Sequence, residues 1–176
     1  MNKKSDLKDD QMLRIARIVA IQSAAGAYVE VEHDTQLSIE RGVIWQIHAI
    51  EFGSNLIVDT FDFTIAQNQA EWNKFQITRE SCSETVNLND SSLVTNFQEQ
   101  LVRSVTIGTD AGPLWYYLER PKRIVYPVPY PFAGQNIYFG FDSTNDAALT
   151  VTARIFYTTK TVTDKYFFRV AQSLLS

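Results

Sequence analysis

NIYFGFDSTNDAALTVTARIFYTTK, residues 136–160, is the stretch whose reading decides the fold. Ile137, Phe139 and Phe141 alternate with Asn136, Tyr138 and Gly140. Leu149, Val151, Ala153, Ile155 and Tyr157 alternate with Thr150, Thr152, Arg154, Phe156 and Thr158. Between them lies the polar cluster Asp142-Ser143-Thr144-Asn145-Asp146. A period of two in β-branched and aromatic residues around a turn cluster predicts a pair of antiparallel strands. The first set should face a core, and Thr150, Thr152 and Arg154 should face water or a neighbour.

Outward from this stretch the pattern stays β. Strands are expected at Tyr28–Glu32, Val43–Phe52, Leu56–Ile65, Trp72–Arg79, Gln100–Ile107, Leu114–Leu118 and Ile124–Val128. Residues 80–97 are rich in Ser, Asn, Asp and Thr and read as a long connection, or as a short helix around Ser92–Gln98. Pro127, Pro129 and Pro131 fall on alternate residues and remove amide donors, so their stretch is an edge or an extended bridge and not a central strand. Thr163 can cap a terminal helix in which Phe167, Val170, Ala171 and Leu174 share a face.

The N-terminal segment reads two ways. Met12, Ile15, Ala16 and Val19 lie at helical spacing, with Ser5 as a cap and acidic residues near the positive end. Leu13, Ile15, Val19 and Ile21 also line one face of a strand, interrupted by Arg17. A helix over 5–20 is the expectation. The predicted layout is a helical arm over 1–24 and an all-β antiparallel sandwich over 25–176, a jelly roll in its expected form. No βαβ alternation points to a parallel sheet.

The composition suits a protein that stands on its own core. The chain has 176 residues, 45% hydrophobic and 12% aromatic, with eleven Phe, eight Tyr and three Trp. Its net charge of −4 gives no global attraction to phosphate. Cys82 is the only cysteine, so no intrachain disulfide forms, which fits a reducing cytoplasm. Asp6, Asp9 and Asp10 stand where a signal peptide needs an apolar run. No stretch reaches the roughly 18–20 apolar residues of a membrane span.

Catalytic signatures are thin. Glu30, Glu32 and Asp34 share a strand face from which His33 points away; such a face is more often solvated than metal-binding. Asp142, Thr144 and Asp146 match the first spacings of a calcium loop, but Ala147 and Ala153 occupy its glycine and glutamate positions. Cys82 has no histidine near it in sequence to activate a thiolate. No nucleophile elbow or phosphate-cradling glycine loop occurs. The expectation is a non-enzyme with no cofactor and no metal.

Two clusters read as contact surfaces. Val43–Phe52 is apolar on both sides, so Trp45, His48, Ile50 and Phe52 are expected at a subunit interface. His48 would be a pH-sensitive group there. Trp115, Tyr116 and Tyr117 precede Arg120, Lys122 and Arg123, a combination able to hold nucleic acid or a glycan. Buried rings beside ordinary surface charges explain the same residues. Lys3, Lys4, Lys8, Arg14 and Arg17 form a second basic group for nucleic acid, but the interspersed aspartates make this a disfavoured partner.

A predicted jelly roll of this size resembles viral single jelly-roll capsid proteins. The resemblance rests on the N-terminal arm, the run Val125-Tyr126-Pro127-Val128-Pro129-Tyr130-Pro131-Phe132, and the closing strands 137–142 and 150–161. It spans about residues 25–165 and is architectural, with no motif carried over residue by residue. It implies a virion protein assembled in the host cytoplasm, partnering with itself and with other virion proteins. The acidic balance departs from capsid proteins that package genome through a basic arm. The alternative is a carbohydrate- or receptor-binding sandwich using Trp72, Trp115, Tyr116 or Tyr117 as platforms.

Overall fold

The computed structural model describes residues 12–23, 27–37, 42–54, 69–104, 114–117, 123–144 and 149–173. In chain order the elements are β1 (Arg14–Gln22), β2 (Val29–Asp34), β3 (Val43–Ser54), β4 (Gln69–Thr78) and β5 (Leu93–Ser104). They continue with β6 (Leu114–Tyr117), β7 (Arg123–Phe132), β8 (Asn136–Ser143), β9 (Leu149–Thr161) and α1 (Asp164–Ser173).

Two antiparallel sheets form. Sheet A runs β1-β9-β3-β7 and sheet B runs β2-β8-β4-β5-β6. The pairs β1·β9, β2·β8, β3·β7 and β4·β5 are the successive rungs of one long hairpin. The contacts β3·β9 and β4·β8 are made when that hairpin is rolled on itself. The chain is a jelly roll. Rolling stacks the two sheets so that each strand's apolar face meets the other sheet.

The stretch 136–160 yields two strands, with a different pairing from the one expected. β8 pairs with β2 and β4, whereas β9 pairs with β1 and β3. They are not a hairpin: the chain passes between sheets from one to the other. Alternation specifies which side chains turn inward and is blind to whether the next strand lies beside or across the core. The inward assignment holds, since Ile137, Phe139, Phe141, Val151, Ala153 and Ile155 are all fully buried.

Where the expected N-terminal helix is described it is replaced by β1 over residues 14–22, paired with β9 throughout, and residues 5–11 of that expectation lie outside the described residues. These residues belong to sheet A and not to an arm. Tertiary pairing overrides helical spacing here, because an unpaired β9 edge offers nine residues of ladder. The face expected to point inward points outward: Ala16, Ile18, Ala20 and Gln22 are buried, and Ile15, Arg17, Val19 and Ile21 are exposed. The alternative helix around Ser92–Gln98 is likewise strand, the start of β5. The strand expected at Leu56–Ile65 lies outside the described residues.

β3 explains its own two-sided apolar pattern. Its register slips between Ile47 and Ala49, which face the adjacent partners Tyr157 and Phe156 on β9. His48 is thus one extra residue, a β-bulge. The bulge changes the parity of the strand. Trp45 and Ile47 point inward before it, and Ile50 and Phe52 point inward after it. The outward Ile44 is covered as well, packing with Ala133, Phe167 and Val170 of α1. On the other side of β3, β7 places residues 126–129 opposite His48 alone. Pro127 and Pro129 therefore sit where no ladder donor is needed, and β7 is an outer strand as expected.

The core is ring-rich. Phe52, Phe75, Phe132, Phe139 and Phe141 are fully buried, each contributing about 1.5–3 kcal/mol by burial. Phe75 meets Phe52 at 5.3 Å and Phe141 at 5.0 Å between centroids, tilted as aromatic quadrupoles prefer. Helix α1 starts as expected. Thr163 accepts the amides of Tyr166 and Phe167 through its carbonyl at 2.9 Å, and Tyr166 N–H also reaches its hydroxyl at 3.4 Å.

Candidate functional site

The outer face of sheet B carries a concavity of about 360 Å3. Alternation along β4 turns Asn73, Phe75 and Ile77 inward and leaves Trp72, Lys74, Gln76 and Thr78 on this face. β5 adds Asn96 opposite Gln76 and Gln98 opposite Lys74. The loop 79–92 closes one side with Thr85, Val86, Asn87 and the exposed Leu88.

Gln76 fixes that loop. Its side chain is buried, its Oε1 accepts Val86 N–H at 2.9 Å, and its Nε2 donates to Glu84 O at 3.3 Å and to the Tyr28 hydroxyl at 2.8 Å. Tyr28 donates in turn to Glu30 Oε2 at 3.0 Å. The same carboxylate accepts Ser81 O–H at 2.6 Å and Cys82 N–H at 2.9 Å. Burial pushes the Tyr28 phenol far above its ordinary range, and the neighbouring Glu30 charge and hydrogen bond push it further. Gly140 makes this packing possible. A Cβ there would overlap the Tyr28 hydroxyl and come within 2.8 Å of Gln76 Cγ.

At the far end of the loop, Asp90 Oδ1 accepts both the amide (2.8 Å) and the hydroxyl (2.6 Å) of Ser92. These bonds hold the exposed Asp90 carboxyl below its usual range. The Arg79 guanidinium donates to Ser91 O. The loop is therefore pinned at both ends and the cavity wall is preformed. Lys74, which lines the cavity, has its Nζ 4.2 Å from the Trp72 ring centroid, a cation–π contact. The amides of Asn87, Asn96 and Gln98 stand at the rim. Ammonium and amides line the cavity with donors and acceptors, suited to a small polar ligand, and the Trp72 indole lies next to Lys74 outside the lining.

The sequence-derived candidates scatter. Trp45, Ile50 and Phe52 are core residues, 3%, 0% and 1% exposed. Trp45 stacks on Tyr157 with centroids 3.8 Å apart. The interface expected on these three is overturned: the bulge turns them all inward, so the second apolar face belongs to the chain's own core. His48 is half-buried at the bulge, with Nε2 3.0 Å from Thr158 Oγ1. Trp115, Tyr116 and Tyr117 form β6 at the rim of sheet B, opposite Arg103, Val102 and Leu101. Arg120 and Lys122 lie outside the described residues. Arg123 begins β7, its guanidinium 4.8 Å from the Phe156 ring. It is on sheet A, so its strand is in the other sheet from Trp115–Tyr117.

The carboxylates on β2 do not converge on a cation. Glu30 is engaged by Tyr28, Ser81 and Cys82; Asp34 Oδ1 accepts Gln36 N–H at 2.7 Å; Glu32 is exposed. His33 turns inward as expected, 6.3 Å from the Trp45 ring. In the loop expected to fail as a calcium site, Thr144 Oγ1 accepts Trp72 N–H at 3.0 Å, tying it to β4. The Cys82 thiol is half-buried and donates to Glu80 O at 3.4 Å.

Sequence reasoning missed Lys74, Gln76, Asn96 and Gln98. The available signal was the long polar connection after β4, which is the wall of the cavity.

No family model and no curated protein matches the chain. Solved structures similar to it include Trichodysplasia spinulosa-associated polyomavirus VP1, with 8% identity over 85% of this chain and 96% of that chain, at TM-score 0.46. The same virus's VP1 in complex with GM1 oligosaccharide has 9% identity over 88% and 99%, at TM-score 0.45. Merkel cell polyomavirus VP1 in complex with GD1a oligosaccharide has 7% identity over 86% and 97%, at TM-score 0.36.

Proposed function

We propose that this chain is a virion structural protein, a non-catalytic capsid subunit that self-assembles and meets other virion proteins. The observation that carries the reading is the orientation of β1. This strand turns two alanines and one isoleucine inward and presents Ile15 (57% exposed), Val19 (39%) and Ile21 (64%) to the outside, with Leu13 (53%) just before it. A strand that hides small side chains and exposes large ones has its larger apolar face available for another surface. Large exposed apolar side chains gathered on one face, here on either side of Arg17, support an interaction surface. A jelly roll supplies a rigid block whose outer faces and edges can be tiled. In this reading the protein is made in the host cytoplasm, consistent with a lone unpaired cysteine, and ends in the particle.

Sedimentation velocity and light scattering on the purified chain test this. Concentration-dependent assembly is expected, and Ile15→Lys with Ile21→Lys should weaken it at least about tenfold with little loss of thermal stability. A wild-type chain that stays monomeric at high concentration would sink the reading.

A second reading, a carbohydrate- or receptor-binding sandwich, is favoured by the amide-lined cavity beside Trp72 and Lys74. On a glycan array, wild-type protein should bind and Trp72→Ala should lose about 1–3 kcal/mol of affinity, the scale of a lost stacking contact. Equal signals from both proteins would remove this site from consideration.

A further inference from the structure

The ladder registers of sheet A align four charged residues in one transverse row. Arg17 on β1 lies opposite Arg154 on β9, Arg154 opposite Glu51 on β3, and Glu51 opposite Arg123 on β7. All four belong to the outward side of their strands. Three arginines thus stand against one glutamate in a chain whose net charge is −4. Glu51 is used by Arg154, at 3.1 Å. Arg123 lies over Phe156, and Arg17 has no carboxylate partner among the described residues. Arg17 directly opposite Arg154 is a like-charge pair, which a lone sheet disfavours. A parallel row, Ile15–Phe156–Ala49–Val125, runs beside it, and Val125 is 62% exposed.

The opposite outer face of the sandwich has the opposite sign. Glu32 and Asp34 are exposed on β2, the edge strand of sheet B. The loop that Glu30 holds over this edge adds the exposed Glu80 and Glu84. Two cations of this side are engaged, Lys74 on Trp72 and Arg79 on Ser91 O.

We infer that the arginine row of sheet A, with its apolar flank, docks on the acidic β2 side of sheet B of a second copy of this chain. The two surfaces differ, so the contact is heterologous and propagates head to tail, closing into a ring if the rotation allows. Four strands about 4.8 Å apart give this face a width of about 19 Å, with its Ile44 end lying under α1. A neighbour's carboxylates would relieve the Arg17–Arg154 repulsion, and charge complementarity would set the register. The inference rests on the capsid-subunit reading and names its contact.

A charge-swap assembly experiment on the full chain tests it. Arg17→Glu with Arg154→Glu, and separately Glu32→Lys with Asp34→Lys, should each weaken self-association at least about tenfold. Circular dichroism and thermal midpoints check that the fold persists. Mixing the two variants should restore association, because each junction again joins opposite charges. Wild-type assembly should also weaken from about 50 to about 500 mM NaCl. If wild type assembles and both variants assemble equally well, this contact is refuted while the capsid reading stands. If wild type never assembles, the capsid reading itself falls. If the arginine variant keeps assembly but loses binding to phosphatidylserine vesicles or to single-stranded DNA, the face serves another partner and the inference is overturned.

Discussion

Tyr28 shows how one residue ties the cavity wall to the sheet. Its hydroxyl sits between Gln76 and Glu30, and Gly140 leaves the space it occupies. Its proton is held strongly, first by burial and then by Glu30. Tyr126 and Tyr130 are also raised by burial. In the unfolded chain these phenols ionise near pH 10. Above that pH the unfolded state binds fewer protons than the native state, so stability falls as pH rises. Below about pH 10 the contribution is fully present. Denaturant midpoints should therefore drop between about pH 8.5 and about pH 11, and Tyr28→Phe should show a smaller drop. An unchanged pH slope in Tyr28→Phe would show that Tyr28 is not responsible. At this scale the sequence reveals little: nothing in Tyr28-Val29-Glu30 announces that Gln76 and Cys82 will meet it, since those contacts span 48 and 52 residues.

At the scale of an element, β3 is the instructive case. A strict period of two assigns Trp45 and Ile47 to one face and Ile50 and Phe52 to the other, and both faces read as apolar. The bulge at His48 makes them one face. Deleting His48 should be tolerated. The ladder with β9 becomes regular, Trp45, Ile47, Ile50 and Phe52 stay inward, and the loss is about 1 kcal/mol for the Thr158 hydrogen bond. Deleting Glu51 should be severe, because Phe52 is then turned out of the core and its burial of about 1.5–3 kcal/mol is forfeited together with the packing around it. Chemical denaturation of the two deletion variants checks this; similar midpoints would show that the bulge does not set parity. β1 makes the same point from the other side. Its alternation was visible, but both of its faces carry apolar residues, so only pairing with β9 and the space beneath it choose Ala16, Ile18 and Ala20 for the interior.

The whole molecule is a rolled hairpin with chemically different outer faces. Sheet A presents arginines among aliphatic side chains, and sheet B presents carboxylates around an amide-lined cavity. In the contact proposed above, such polarity would direct head-to-tail association and leave the cavity side partly free. It also separates two kinds of failure. Ile21→Lys should change association and leave the fold within about 0.5 kcal/mol, as an exposed site does. Ile18→Lys, at a site 3% exposed, should prevent folding by burying an unpaired charge.

By itself the sequence determined the fold class, the inward faces of β8 and β9, the edge position of the proline-bearing strand and the cap at Thr163. Each follows from local rules: period-two burial, missing amide donors, and unsatisfied helix amides. Tertiary structure alone decided the rest. It separated β8 from β9 into different sheets, made β1 a strand, folded Trp45, Ile50 and Phe52 into one core, and aligned Arg17, Arg154, Glu51 and Arg123. Those outcomes depend on which strand pairs with which and in what register, and partners more than a hundred residues apart leave no mark in a local pattern.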